Sequence, residues 1–106
     1  MDAQEFIKLA DACLSRVANS LEDFDPDEVD FTESDGVVAI EFPDGAKYIL
    51  NRQTAADQMW FAAGARAWHY DWDADAAEWV DDRDGHKLYE RVATSISEKI
   101  GRSVTL

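Results

Sequence analysis

A chain of 106 residues has room for one domain built around one core. Its 46% hydrophobic and 11% aromatic content is enough to fill that core, which excludes a disordered chain, and no apolar run approaches the ~20 residues of a membrane span. Ten basic residues against 23 acidic ones leave a net charge of −13, which disfavours nucleic acid and anionic lipid as partners and favours cations and basic protein surfaces.

The opening Met1-Asp2-Ala3-Gln4-Glu5 is acidic, unlike a secretory signal or an Arg-rich transit peptide, so a cytoplasmic protein is expected. Phe6, Leu9, Ala10, Cys13, Leu14, Val17 and Leu21 then recur at helical spacing and predict an amphipathic helix that ends near Leu21, with Pro26 enforcing the break. Cys13 lies on the apolar stripe, where it reads as a buried structural thiol. As the only cysteine it forms no intramolecular disulfide, and a Cys-rich zinc site is excluded.

From Val29 the period changes to two. Val29 to Glu33 predicts a strand, Ser34-Asp35-Gly36 a turn, Val37 to Phe42 a strand and Pro43-Asp44-Gly45 a second turn. Ala46 to Arg52 is a third strand, with Tyr48 and Leu50 on one face and Ile49 on the other. Gln58 to Ala62 and Arg66 to Trp72 form a hairpin bent near Gly64, and a short strand surrounds Trp79. A second helix carries Leu88, Tyr89, Val92, Ala93, Ile96 and Ile100, with Asp84 as its expected N-cap and Gly101 as its stop. The expected fold is α+β: a two-layer α/β sandwich over residues 1–106, with the N- and C-terminal helices packed on one face of an antiparallel sheet.

The acids are segregated. Residues 1–35 hold eleven of them against Lys8 and Arg16, and Asp71, Asp73, Asp75, Glu78, Asp81, Asp82 and Asp84 form a second cluster beside Arg83. Asp71-x-Asp73-x-Asp75 and Asp23-x-Asp25-x-Asp27 mimic the start of a calcium loop, but both lack its sixth-position glycine and its closing glutamate. A shallow site of carboxylate oxygens for a hard cation is the expectation instead. His69 and His86 belong to no zinc-binding motif and read as packed or surface residues, although His86, amid Asp82 and Asp84, has the better claim of the two to assist a cation. No nucleophile elbow or phosphate-binding glycine loop is present, so no enzymatic chemistry is expected. Four tryptophans, Trp60, Trp68, Trp72 and Trp79, exceed what a small core needs. At least one is expected on the exposed sheet beside Asn51, Arg52 and Gln53, a composition suited to a protein interface.

Several segments together resemble the bacterial frataxins. They are Glu5-Phe6-x-x-Leu9-Ala10-Asp11, the run from Ile40 to Gln53 through Pro43-Asp44-Gly45, Gln58-Met59-Trp60, Trp68-His69-Tyr70-Asp71, Glu78-Trp79 and Asp82-Arg83-Asp84-Gly85. The resemblance spans the chain in order, and Asn51-Arg52-Gln53 followed by Trp60 is its most specific part. It implies a protein that binds Fe2+ and Fe3+ weakly, other divalent cations included, and that regulates iron–sulfur cluster assembly by docking on the cysteine desulfurase and on the cluster scaffold protein. Carried over by residue, the metal ridge is Asp11, Glu22, Asp23, Asp25, Asp27, Glu28 and Asp30, and the partner surface is Asn51, Arg52, Gln53 and Trp60. A monomer in the absence of metal is expected. The chain departs from the family at Ala18-Asn19, where relatives carry a pair of acids, at Arg66-Ala67 in place of two glycines, and in a more acidic Asp71–Glu78 connection. Two other functions stay open: a ferroxidase using paired carboxylates, and an acidic adaptor that binds no metal.

Overall fold

In the computed structural model, which describes all 106 residues, the first helix α1 runs Ala3–Leu21. Asp2 is extended and its Oδ1 accepts the Glu5 N–H at 2.8 Å, satisfying one of the donors a helix start leaves free. The predicted stripe is the buried face: Phe6, Ala10, Cys13, Leu14, Val17 and Leu21, with Leu9 at its margin. Ala18 joins that face, so an acid at this position would point into the core.

Six strands follow as a meander, each antiparallel to the next: β1 (Asp30–Ser34), β2 (Val37–Glu41), β3 (Lys47–Gln53), β4 (Gln58–Ala63), β5 (Arg66–Asp73) and β6 (Glu78–Asp81). A 3₁₀ turn, Thr54–Ala56, separates β3 from β4. Alternation sends Val38, Ile40, Leu50, Met59, Phe61, Tyr70 and Trp79 into one layer with α1 and with the second helix, α2 (Leu88–Ile100). Each such aliphatic or aromatic side chain contributes about 1.5–3 kcal/mol on burial. Phe6 of α1 meets the edge of the Trp79 ring at 6.0 Å, and Trp79 meets Trp72 at 5.3 Å, so β6 and α1 share a core although they lie far apart in sequence. Both helices therefore cover the same face, as the alternation predicts, and the opposite face of the sheet is open.

Trp68, Trp72 and Trp79 belong to the helix-covered layer, packed against or within the core. Trp60 alternates away from Met59 and Phe61 and lies on the open face as expected, but it is half-buried there instead of exposed, because it packs on His69.

Two local details matter for the surfaces. Gly36, at φ 77°, turns β1 into β2, and a Cβ there would lie 3.1 Å from the Arg52 guanidinium carbon. The expected cap of α2 is not Asp84. The N-cap is Lys87, without a side-chain hydrogen bond, and the helix begins only at Leu88. Chain 82–87 is held as a loop because the Asp81 N–H donates to the His86 carbonyl, the Gly85 N–H donates to the Asp81 carbonyl, and Lys87 bridges to Val80. Asp84 instead accepts the His86 N–H at 3.0 Å.

Candidate metal-binding and docking surfaces

The acidic surface starts where α1 stops. The end of a helix carries partial negative charge on its free carbonyls, and the last turn of α1 holds no basic residue to offset it. Glu22 and Asp23 follow directly, then Asp25, Asp27, Glu28 and Asp30 within the turn that leads into β1. This turn is built by its own acids: Asp25 Oδ1 accepts the Asp27 N–H at 2.9 Å, and the Asp25 carbonyl accepts the N–H groups of Glu28 and Val29. Asp30 accepts the Phe31 N–H.

The seven ridge residues predicted from sequence do not converge on one point. Glu22 and Asp30 border a cleft of about 220 Å³ floored by Leu21, Val29 and Phe31. Asp23 opens onto a different cleft beside Arg102 and Ser103. Asp27 and Glu28 face a third, of about 380 Å³, shared with Asp44 and Lys99. Asp11 is separate altogether, about three helical turns from Glu22, or roughly 16 Å along the axis.

Two of the seven are neutralised. Asp11 pairs with Arg52 at 2.6 Å, and Glu28 pairs with Arg102 at 2.5 Å, whose hydrogen bond holds the Glu28 carboxyl below its ordinary range. The pairing of Asp44 with Lys99 lowers the Asp44 pKa in the same way. Glu22, Asp23, Asp25, Asp27 and Asp30 form no ion pair.

The open sheet face brings three of the four predicted partner residues together. Asn51 is paired across the strands with Trp60, Trp60 with His69, and Gln53 with Gln58. The Trp60 ring stacks on the His69 imidazole at 4.4 Å, and its indole N–H donates to Gln58 Oε1 at 3.0 Å. The Gln58 amide in turn donates to Asp71 at 3.0 Å and Asp82 at 3.2 Å. The indole is thus held in one orientation between Asn51, Gln58 and His69.

Arg52 is not part of that surface. It shares the parity of Leu50, so its side chain leaves the opposite side of β3 and lies between Asp11 on α1 and Asp35, at 2.6 and 2.9 Å. Counting two residues from buried Leu50 would have found this in the sequence. The calcium-like runs also resolve locally: Asp73 Oδ1 caps its own turn by accepting the N–H groups of Asp75 and Ala76.

One trio of His, Cys, Asp or Glu side chains is able to meet at an ion, Asp81, Asp84 and His86, whose ligand atoms lie within 4.8 Å of one another; sequence reading set His86 beside Asp84 but took Asp82 for the third member and missed Asp81. The available signal was again parity, since Asp81 lies two residues beyond core Trp79 and is itself buried.

Comparison with known proteins gives a consistent picture. A family described as a Frataxin-like domain matches residues 1–102. The chain is 40% identical, over its whole length and 99% of the relative, to the Iron-sulfur cluster assembly protein CyaY of Dechloromonas aromatica. It is 36% identical over 92% of both chains to the protein of the same name from Thioalkalivibrio sulfidiphilus. Among solved structures, the frataxin of Psychromonas ingrahamii superposes with a TM-score of 0.88 at 28% identity, covering 99% of this chain and 97% of that one. A trimeric frataxin of Saccharomyces cerevisiae, complexed with ferrous iron, superposes with a TM-score of 0.76 at 29% identity, covering 89% and 87%.

Proposed function

The chain belongs to the frataxin-like family, and we propose that it acts in the cytoplasm as a non-enzymatic, iron-binding regulator of iron–sulfur cluster assembly. The observation that carries this reading is the run of five unpaired carboxylates, Glu22, Asp23, Asp25, Asp27 and Asp30, at the carbonyl end of α1. Their oxygens repel one another and the helix end until a cation arrives. Carboxylates without imidazole or thiolate suit hard cations, Fe3+ above all and Fe2+ with it, and other divalent ions compete for them. Because Glu22 and Asp30 share one cleft while Asp23 and Asp27 face two others, each ion finds few ligands at once, which makes binding weak and exchangeable. Such a surface hands iron on.

The relatives' shared name supports the assembly role, and the ferrous complex of the yeast protein supports iron as the cation. The docking partner in this reading is the cysteine desulfurase, met by the acidic surface through a basic patch and by Asn51, Gln53 and Trp60 through the open sheet, with the scaffold protein alongside. Trp flanked by Asn51 and His69 on an uncovered sheet face has the composition of a binding hot spot. The chain acts as a monomer when no metal is bound. Its non-catalytic character is supported by Cys13, which is buried and whose thiol is pushed up to about 12 by that burial, far from a nucleophile at neutral pH.

The test is a charge reversal. Glu22→Lys, Asp23→Lys and Asp25→Lys together should weaken both anaerobic ferrous-iron binding and desulfurase binding by about tenfold, or ~1.4 kcal/mol. Trp60→Ala should weaken desulfurase binding and leave iron binding as it was. Calorimetry that finds the triple variant equal to the wild type toward both ligands would remove the proposal.

A further inference from the structure

The β6–α2 loop holds a second arrangement of acids and imidazole that differs from the first in being partly buried and built. Asp81 is only 5% exposed, and its carboxylate turns into the loop, where Oδ2 accepts the N–H groups of Arg83 at 2.9 Å and Asp84 at 3.0 Å. Its other oxygen, Oδ1, is buried with no hydrogen-bond partner. A buried carboxylate oxygen left unpaired is costly in a low-dielectric setting and calls for a positive or donating group. Asp84 and His86 stand beside it, one ligand atom of each of the three residues lying within 4.8 Å of the others, so a cation held among them would satisfy that oxygen.

The His86 ring is fixed by hydrogen bonds at both nitrogens. Its Nδ1 is 2.6 Å from Asp84 Oδ1, and its Nε2 is 2.8 Å from the hydroxyl of Tyr70, a core residue of β5. Metal-bound imidazoles characteristically use one nitrogen for the ion and donate the other N–H to a fixed oxygen, which sets the ring angle and the tautomer. With an ion in place of the Asp84 contact at Nδ1, the Tyr70 hydroxyl oxygen would take that role for Nε2–H. The backbone bond from the Asp81 N–H to the His86 carbonyl keeps the strand and the ring in register.

We propose that Asp81, Asp84 and His86 form a second metal site, specific for a borderline divalent transition ion such as Zn2+ and separate from the acidic surface at the end of α1. One nitrogen and two carboxylates favour Zn2+, Co2+ or Fe2+ over Mg2+ and Ca2+, which take oxygen ligands alone. Ligand atoms around one ion stand about 3–3.5 Å apart at bond lengths near 2.1 Å, so the Asp84–His86 contact opens and the wider separations close by roughly an ångström. Asp84 is exposed and can make that adjustment, while Asp81 and Tyr70 stay fixed by the core. The site stands independently of the iron-binding role proposed for Glu22 to Asp30.

The experiment is a Zn2+ titration of the full chain, followed through the imidazole nitrogens of His86 and His69 by NMR and through affinity by calorimetry. One equivalent of Zn2+ should shift the His86 Nδ1 resonance strongly while His69 responds little. His86→Gln and Asp81→Asn, the latter keeping an oxygen for the turn, should each weaken Zn2+ binding at least about tenfold. The charge-reversed variant at Glu22, Asp23 and Asp25 should retain the site. His86 nitrogens that do not move at saturating Zn2+, a measurement needing no variant, would overturn the proposal. Folded His86→Gln with wild-type Zn2+ affinity would do the same.

Discussion

Arg52 lies between two carboxylates that would otherwise repel, Asp11 from α1 and Asp35 from the β1–β2 turn, and it ties a helix to a sheet corner. Exposed ion pairs contribute little singly, but here one fork serves two acids from separate elements. Replacing Arg52 with Met keeps the packed stem and removes the charge. This should lower stability by about 1 kcal/mol in urea unfolding at low salt, with the gap narrowing as salt is added. Equal midpoints for the two proteins at low salt would show that the pairs contribute nothing. Cys13 makes the second prediction at this scale. Burial raises its thiol pKa from an ordinary 9.0 to about 12, with Tyr89 and Arg16 pulling weakly the other way. The tyrosines Tyr70 and Tyr89 are likewise raised, mainly by burial. A raised pKa means that the unfolded chain releases its proton first. Stability is therefore full below pH 9 and falls as the pH climbs toward the folded value. Thermal melts should drop steadily above pH 9, and native Cys13 should react with a thiol reagent only as fast as the protein unfolds.

At the scale of elements, α1 is held at both ends by unlike means. Its start has a side-chain cap in Asp2, so Asp2→Ala should cost about 1 kcal/mol, readable as a lower urea midpoint with an unchanged slope. A variant as stable as the wild type would mean that solvent caps Glu5 equally well. Its end has only acids, which is unfavourable to the helix and favourable to cation binding. Both helices, all six strands and the open face follow from hydrophobic period, because burial of one face dictates where the apolar residues fall. Arg52 and Asp81 obey the same two-residue alternation, yet their polar identity masks it. The start of α2 was not legible, since Asp84 has the chemistry of a cap and it is the backbone bonds of Asp81 to His86 and Gly85, with the Val80–Lys87 bridge, that delay the helix to Leu88.

Over the whole molecule the surplus of negative charge governs behaviour. Of 23 acidic residues, six are paired with a lysine or arginine: Asp11, Glu28, Asp35, Glu41, Asp44 and Glu78. The unpaired majority repel within a body only 39 × 28 × 23 Å across, a few Debye lengths of about 8 Å at physiological salt. Added salt should therefore raise the melting temperature, because screening relieves more repulsion than it removes attraction, and divalent cations should raise it further at equal ionic strength. Calorimetric melts that stay level across both series would contradict this.

The sequence alone determined the antiparallel meander between two helices, the net acidity and the family, because these depend on local period, composition and ordered motifs. Which carboxylates remain free was decided by the tertiary structure. Arg52 and Arg102 reach Asp11 and Glu28 across 41 and 74 residues of chain, and folding alone closes such distances. The same folding placed Tyr70 under His86 and buried Asp81, since hydrogen bonding between β5 and β6 and the turn beyond them bring side chains together without regard to their separation in sequence.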